Sequence, residues 1–240
     1  MATQTEKCAG EAQSFERFGA AMLSGKVSDS AYLRFQSLAA YRQINAGETV
    51  PNMDLADRFV FLASGATKLV AEASGGREQV VAFHFADDLV SIPARGPHGY
   101  TLRALTDCDI LVFPSLEFMQ IAHTEPVTLG EVARRALHAL WRCREKAVLL
   151  GRKTAQERIA SFLIATARRI GSIERGACVL SLPMSRRDIA DSLGLTTETV
   201  SRQFTDLRQM GLIATSGRSE VRLLDIAGLV ARSGNFSIAA

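Results

Sequence analysis

The stretch Ser185-Arg-Arg-Asp-Ile-Ala-Asp-Ser-Leu-Gly-Leu-Thr-Thr-Glu-Thr-Val-Ser-Arg-Gln-Phe204 reads as two short helices joined by a tight turn. Ile189 and Leu193 fall at i,i+4 on one helical face, and the small Ala190 beside them lets a second helix cross closely. Gly194 supplies the turn, because a residue just past a helix end often takes the left-handed conformation that glycine adopts without a Cβ penalty. Thr196 or Thr197 caps the second helix, and Glu198 suits its positively polarised first turn. Val200, Phe204 and Leu207 make the buried stripe of that helix, which leaves Thr197, Glu198, Ser201 and Arg202 on the opposite face. Such groups read base edges: arginine bonds guanine twice, glutamate accepts from cytosine N4, and a hydroxyl suits several partners. On an ordinary surface helix, Glu198 and Arg202 would instead form a solvated i,i+4 ion pair. The wider pattern argues against that, since Leu212 to Thr215, Ser216-Gly217 and Val221 to Leu224 follow as a β-hairpin wing. The segment is therefore expected to bind double-stranded DNA, with Arg186, Arg187 and Arg218 as further basic contacts.

The run from Leu182 to Arg202 resembles the C-terminal domain of the CRP/FNR family of bacterial transcription regulators, and Glu198-x-x-Ser201-Arg202 resembles its FNR and FixK branches. Leu149-Leu-Gly-Arg-Lys-Thr-Ala-Gln-Glu-Arg-Ile-Ala-Ser-Phe-Leu163 is similar to the end of that family's long dimerisation helix and its passage into the DNA-binding domain. The resemblance covers most of the chain from about Gly47 onward. It implies an α+β fold: an N-terminal β-roll, a jelly roll like the cyclic-nucleotide-binding domain, then a long dimerisation helix and a C-terminal winged helix-turn-helix. It also implies a homodimer on an inverted repeat resembling TTGA-N6-TCAA, with Arg202 on guanine and Glu198 and Ser201 on neighbouring bases. RNA polymerase is the further partner it implies, and oxygen- or nitrogen-oxide-responsive genes are the targets.

Composition agrees with a globular chain: 240 residues, 47% hydrophobic and 22% charged, can bury one large core or two modest ones. No apolar run reaches membrane-spanning length, and Met1-Ala-Thr-Gln-Thr-Glu-Lys-Cys8 carries an acidic residue and no apolar core, so no secretion signal is read. Cys8, Cys108, Cys143 and Cys178 are scattered, which suits reduced thiols in a cytoplasm. Charge is segregated. Residues 1–126 hold ten Lys/Arg against fifteen Asp/Glu, residues 127–168 nine against three, and residues 169–240 nine against seven. An acidic front and a basic back place any polyanion on the C-terminal half.

Four regions follow. Residues 1–24 form an N-terminal arm in which Phe15 and Phe18, at i,i+3, anchor an amphipathic segment. Residues 25–126 form the β-roll, with strands at Arg58–Leu62, Thr67–Val70, Gln79–Phe83 and Asp109–Phe113 and glycine turns such as Ser74-Gly75-Gly76. Residues 127–168 form the dimerisation helix and hinge, proline-free, with a break expected near Gly151. Leu137, Leu140, Trp141 and Val148 are its expected contacts with a second copy, against the alternative of a helix packed only on its own β-roll. Residues 169–240 form the winged helix-turn-helix.

The input to such a regulator is less specified. The family's cyclic-nucleotide sensors hold phosphate with a Gly-Glu pair and then an Arg-Ser pair; neither occurs between Phe85 and Arg103. Asp87 and Asp88 would repel a phosphate, with only Arg95 or Arg103 to meet one, so no cyclic nucleotide is expected. An iron–sulfur cluster needs four gathered thiolates, and the N-terminal part offers Cys8 alone. Haem stays open through His84, His98, His123 or His138, none singled out, and otherwise no cofactor or metal is expected. Cys178 is a candidate redox thiol because Arg175 is near it in sequence, against the alternative of a small buried apolar residue. No His-Glu-x-x-His, Gly-x-Ser-x-Gly or Cys-x-x-Cys signature supports an enzyme.

Overall fold

The computed structural model describes residues 4–23, 27–51, 56–73, 76–94, 98–174 and 177–234. They fall into two compact units, Met1–Trp141 and Arg142–Ala240. The first contains seven strands: β1 (Ala40–Ile44), β2 (Arg58–Leu62), β3 (Ala66–Ala73), β4 (Arg77–Phe85), β5 (Leu89–Ile92), β6 (Gly99–Ala104) and β7 (Cys108–Pro114). They pair antiparallel as one sheet ordered β1-β7-β2-β5 and another ordered β4-β3-β6. Strands β2, β3, β4 and β7 are those expected from β-branched and aromatic runs. Strands β1, β5 and β6 escape such a reading, because arginine and glutamine interrupt their apolar positions or the run is only four residues long.

Alternation along these strands sorts the core into two parts. Val60, Leu62, Ile110 and Val112 face one way, with Leu69, Leu102 and Ala104 of the second sheet, and fill the roll. Phe61, Leu111 and Phe113 face the other way, beneath helices α1 (Gln4–Phe18), α2 (Asp29–Leu38) and α3 (Ser115–His123). A single π-helical turn, Gly19–Leu23, continues α1. Phe18 is fully buried at the centre of this layer, with Phe15, Phe35, Phe61, Phe113 and Phe118 ring centroids 4.9–6.1 Å away. Gly10 of α1 lies so close to the sheet that a Cβ there would meet the Tyr41 hydroxyl at 2.5 Å. Phe15 and Phe18, expected to anchor the N-terminal segment, are both buried in this core.

Helix α4 (Pro126–Arg152) contributes residues to both units. The second unit continues with α5 (Ala155–Ile170), β8 (Ser172–Glu174), β9 (Ala177–Ser181), α6 (Arg186–Leu193), α7 (Thr197–Gln209), β10 (Ile213–Ser216), β11 (Glu220–Leu223) and α8 (Ile226–Ala231). Its sheet is ordered β10-β11-β9-β8. The break expected near Gly151 falls at Lys153-Thr154, and Gly151 is still helical. A capping box makes it: Thr154 accepts from the Glu157 amide while the Glu157 carboxylate accepts from the Thr154 amide. Helix α5, expected as part of the hinge, buries Ile159, Ala160 and Leu163 and packs on α7, α8 and β9. The reading unit thus begins well before residue 169. Among the described residues no helix is long and apolar enough to cross a membrane.

Candidate nucleic-acid interface

The two helices of the opening motif form as their caps dictate. The Ser185 hydroxyl accepts from the Asp188 amide while the Asp188 carboxylate accepts from the Ser185 amide, starting α6. Gly194 ends it in the left-handed region, φ 61° and ψ 43°. Of the two candidate caps for α7, Thr196 serves, its hydroxyl accepting from the Thr199 amide at 3.1 Å. Ile189, Ala190 and Leu193 of α6 and Val200, Phe204 and Leu207 of α7 are buried, which fixes the outward face of α7.

On that face Thr197, Glu198, Ser201 and Arg202 are all exposed. Among the described residues neither Glu198 nor Arg202 makes an ion pair or a side-chain hydrogen bond, so the i,i+4 pairing of a bland surface helix is not formed. Ser201 donates to the Thr197 carbonyl at 2.9 Å, which leaves its lone pairs outward. Further along, Arg208 donates to Thr205 at 3.3 Å and to Thr215 of β10 at 3.5 Å, linking α7 to the wing. Gly217, at φ 58°, turns the wing, and Arg218 is exposed at its tip.

The other basic residues divide. Arg187 is exposed at the start of α6. Arg186 is half-buried, its guanidinium carbon 3.4 Å from the Phe204 ring centroid, and burial pulls its pKa down. One face of Arg186 is therefore spent on holding α6 against α7, a role that its place in a basic pair did not reveal.

Arg158 of α5 is a second residue that sequence reasoning missed. It donates to the carbonyls of Lys153, Leu150 and Leu193 at 2.9, 2.9 and 2.8 Å, so one guanidinium closes the C-terminal ends of α4 and α6 together. Nearby, Lys146 of α4 donates to Ser192 of α6 at 3.0 Å, and burial draws its pKa down to about 8. The capping box one residue before Arg158 was the available signal for this junction.

The remaining expected sites are placed as follows. Leu137, Leu140, Trp141 and Val148 stand exposed on α4, between 46% and 65% accessible, an apolar row uncovered in the single chain. Cys178 is buried in β9, opposite Leu223 and Ile173, and a Cβ on Gly171 would lie 2.7 Å from its sulfur. Its burial accords with the small apolar residue weighed against a redox thiol in the sequence. Arg175, Arg95, Ser74 and Gly75 lie outside the described residues.

In the roll, Asp87 and Arg103 of the stretch weighed for a cyclic phosphate are each paired with another residue. Asp87 accepts two bonds from Arg17 at 2.6 and 2.9 Å, and Arg103 pairs with Glu78. Asp87 keeps this position at φ 72°, a left-handed conformation unusual for any residue but glycine. The interior between the sheets is lined by the apolar cluster around Leu69, Leu102 and Ile110. Among the described residues, Arg103 is thus committed to Glu78 and not free for a phosphate. His98, His123 and His138 are exposed, whereas His84 is largely buried beside Asp88.

Comparison with known proteins agrees with both units. Residues 157–232 match the Crp-like helix-turn-helix domain and residues 41–125 the cyclic nucleotide-binding domain. The nitrogen fixation regulation protein FixK of Bradyrhizobium diazoefficiens is 35% identical over 188 residues, 78% of this chain and 79% of that protein. The transcriptional activator protein FnrL of Cereibacter sphaeroides is 35% identical over 209 residues, 84% of each chain. The structure of FixK2 from Bradyrhizobium japonicum superposes with a TM-score of 0.71 at 28% identity, covering 82% of this chain and 98% of that one. The chain belongs to the CRP/FNR family and is a transcription regulator of the FNR/FixK type, carrying a helix-turn-helix for DNA.

Proposed function

We propose that the chain acts as a homodimer that reads an inverted repeat resembling TTGA-N6-TCAA, each copy placing α7 in the major groove of one half-site. The observation that carries this reading is the uncommitted face of α7, where Glu198 and Arg202 are exposed and unpaired among the described residues. Arg202 reads guanine; Glu198, Ser201 and Thr197 contact neighbouring bases; Arg187 and Arg218 meet the phosphate backbone. The exposed row Leu137, Leu140, Trp141 and Val148 supplies the dimer contact through α4. Two reading helices so related sit about one turn of DNA apart, which is why the site is a repeat. In this reading the protein works in the cytoplasm with RNA polymerase, on genes that answer to oxygen or nitrogen oxides; its likeness to a transcriptional activator and to a nitrogen fixation regulation protein supports the regulatory role. No cyclic nucleotide, iron–sulfur cluster or haem enters this reading, a view supported for the nucleotide by the Asp87–Arg17 and Arg103–Glu78 pairings.

Selection from random DNA, run in parallel on the wild type and Arg202→Ala, tests it. The wild type should enrich the repeat, and the variant should lose about 1–3 kcal/mol and relax at one position per half-site. Unchanged affinity and preference in Arg202→Ala would refute the assignment. Salt-insensitive association with DNA would instead favour a helix-turn-helix used for protein contacts.

A further inference from the structure

Two buried polar groups inside the roll have no hydrogen-bond partner among the described residues. Thr67 of β3 is fully buried, and its Oγ1 makes no hydrogen bond. Directly across the ladder is His84 of β4, whose buried Nε2 makes none either. Residues opposite one another in an antiparallel ladder share a face of the sheet. Thr67 is also opposite Ala104 of β6 and two residues from Leu69, both members of the cluster that fills the roll. Thr67 and His84 therefore stand together on the inner face. An unsatisfied buried polar group costs about 1–3 kcal/mol, and folded interiors hold very few. Two on one register pair point to a shared third party.

Asp88 decides what His84 can accept. Its Oδ2 is 3.4 Å from His84 Nδ1 and also accepts from the Phe85 amide at 3.0 Å. In the neutral ring, a carboxylate on that side favours the tautomer with its proton on Nδ1, which gives Nε2 a lone pair. The Thr67 hydroxyl can donate or accept. The pair thus suits one atom that donates to Nε2 and engages Oγ1 in either sense. An anion would set lone pair against lone pair, close to Asp88. A metal ion finds too few ligands, since no group of three or more His, Cys, Asp or Glu suited to one occurs among the described residues.

We propose that the β-roll holds an internal hydrogen-bonding subsite, built on His84 and Thr67 and oriented by Asp88, for one neutral hydroxyl- or amine-type atom. Water and the polar end of a small organic effector offer the same chemistry. The subsite lies one residue from Asp87, whose carboxylate holds Arg17 of α1 and whose carbonyl accepts from Arg135 of α4. It does not depend on how the second unit reads DNA.

The full-length protein, labelled with ¹⁵N in its histidine rings and dialysed, tests this by long-range ¹H–¹⁵N NMR. His84 should show the Nδ1–H tautomer, with the unprotonated Nε2 resonance shifted upfield by an accepted hydrogen bond. Thr67→Val, which keeps the side-chain shape, should lose that shift. Solvent cross-relaxation to the Thr67 methyl, with no organic compound released on denaturation, identifies water. A stoichiometric hydroxyl- or amine-bearing compound in the mass spectrum of the denatured extract identifies an effector. An Nε2–H tautomer, an Nε2 without the upfield shift, or a shift unchanged in Thr67→Val would overturn the proposal. Should Thr67→Val fail to fold, the wild-type spectrum decides alone.

Discussion

Helix α7 and the turn between β4 and β5 both bring acidic and arginine side chains near one another, and they use them in opposite ways. On α7, Glu198 and Arg202 are one helical turn apart yet unpaired, facing solvent. At the β4–β5 turn, Asp87 is gripped by Arg17 from 70 residues away, and its backbone carbonyl takes Arg135 as well. The difference is one of availability. Groups that must exchange water for a partner's atoms are held on a rigid helix and left free, because an internal ion pair would have to be broken before DNA could be read. Asp87 is instead held by Arg17 and Arg135, which ties α1, the turn and the start of α4 together.

The comparison can be broken at several points, the largest first. Phe18→Ala removes the ring at the centre of the aromatic layer and should destabilise the first unit by about 4 kcal/mol, seen as a lower denaturation midpoint. A loss below about 1 kcal/mol would return the N-terminal segment to the status of an arm. Arg158→Ala leaves the carbonyls of Leu150, Lys153 and Leu193 without their shared donor. It should cost about 3 kcal/mol in the second unit, and calorimetry that finds this unit's transition unmoved would show the junction to be incidental.

Arg186→Ala separates stacking from phosphate contact. Loss of the Phe204 contact should lower stability by about 1 kcal/mol while the salt dependence of DNA binding keeps its slope. A slope reduced by about one unit would mean that Arg186 meets a phosphate as well. The smallest effect concerns Asp87. The hydrogen bond from Arg17 holds its carboxyl below the ordinary carboxylate range, so the pair adds stability above the unfolded value of about 4 and loses it as pH falls through the folded value. Asp87→Asn tolerates the left-handed backbone equally. Wild type should therefore exceed it slightly near neutrality, with the gap closing in acid. A gap that persists unchanged at low pH would show that charge is not what matters there.

Much of the reading unit was available in the chain's order because its signals are local. Ile189, Ala190, Gly194, Val200 and Phe204 act within a few residues of one another, and glycine at a left-handed position has few substitutes. Strands β1, β5 and β6 were not, since their places depend on neighbours such as β7, whose Val112 pairs with Ala40. The helix break shows the limit at short range: Gly151 drew attention as a weak helix former, but the reciprocal bonds of Thr154 and Glu157 end the run.

By itself, then, the sequence determined the family, the two caps and turn of the helix-turn-helix, and the outward face of α7, all consequences of periodicity and backbone preference over a single turn. Tertiary structure alone decided which rings surround Phe18, that Arg186 stacks on Phe204, that Arg158 joins two helix ends, and that Thr67 stands opposite His84 inside the roll. Each of these brings together residues far apart in sequence, and such pairings follow from sheet register and core packing, which no local pattern encodes.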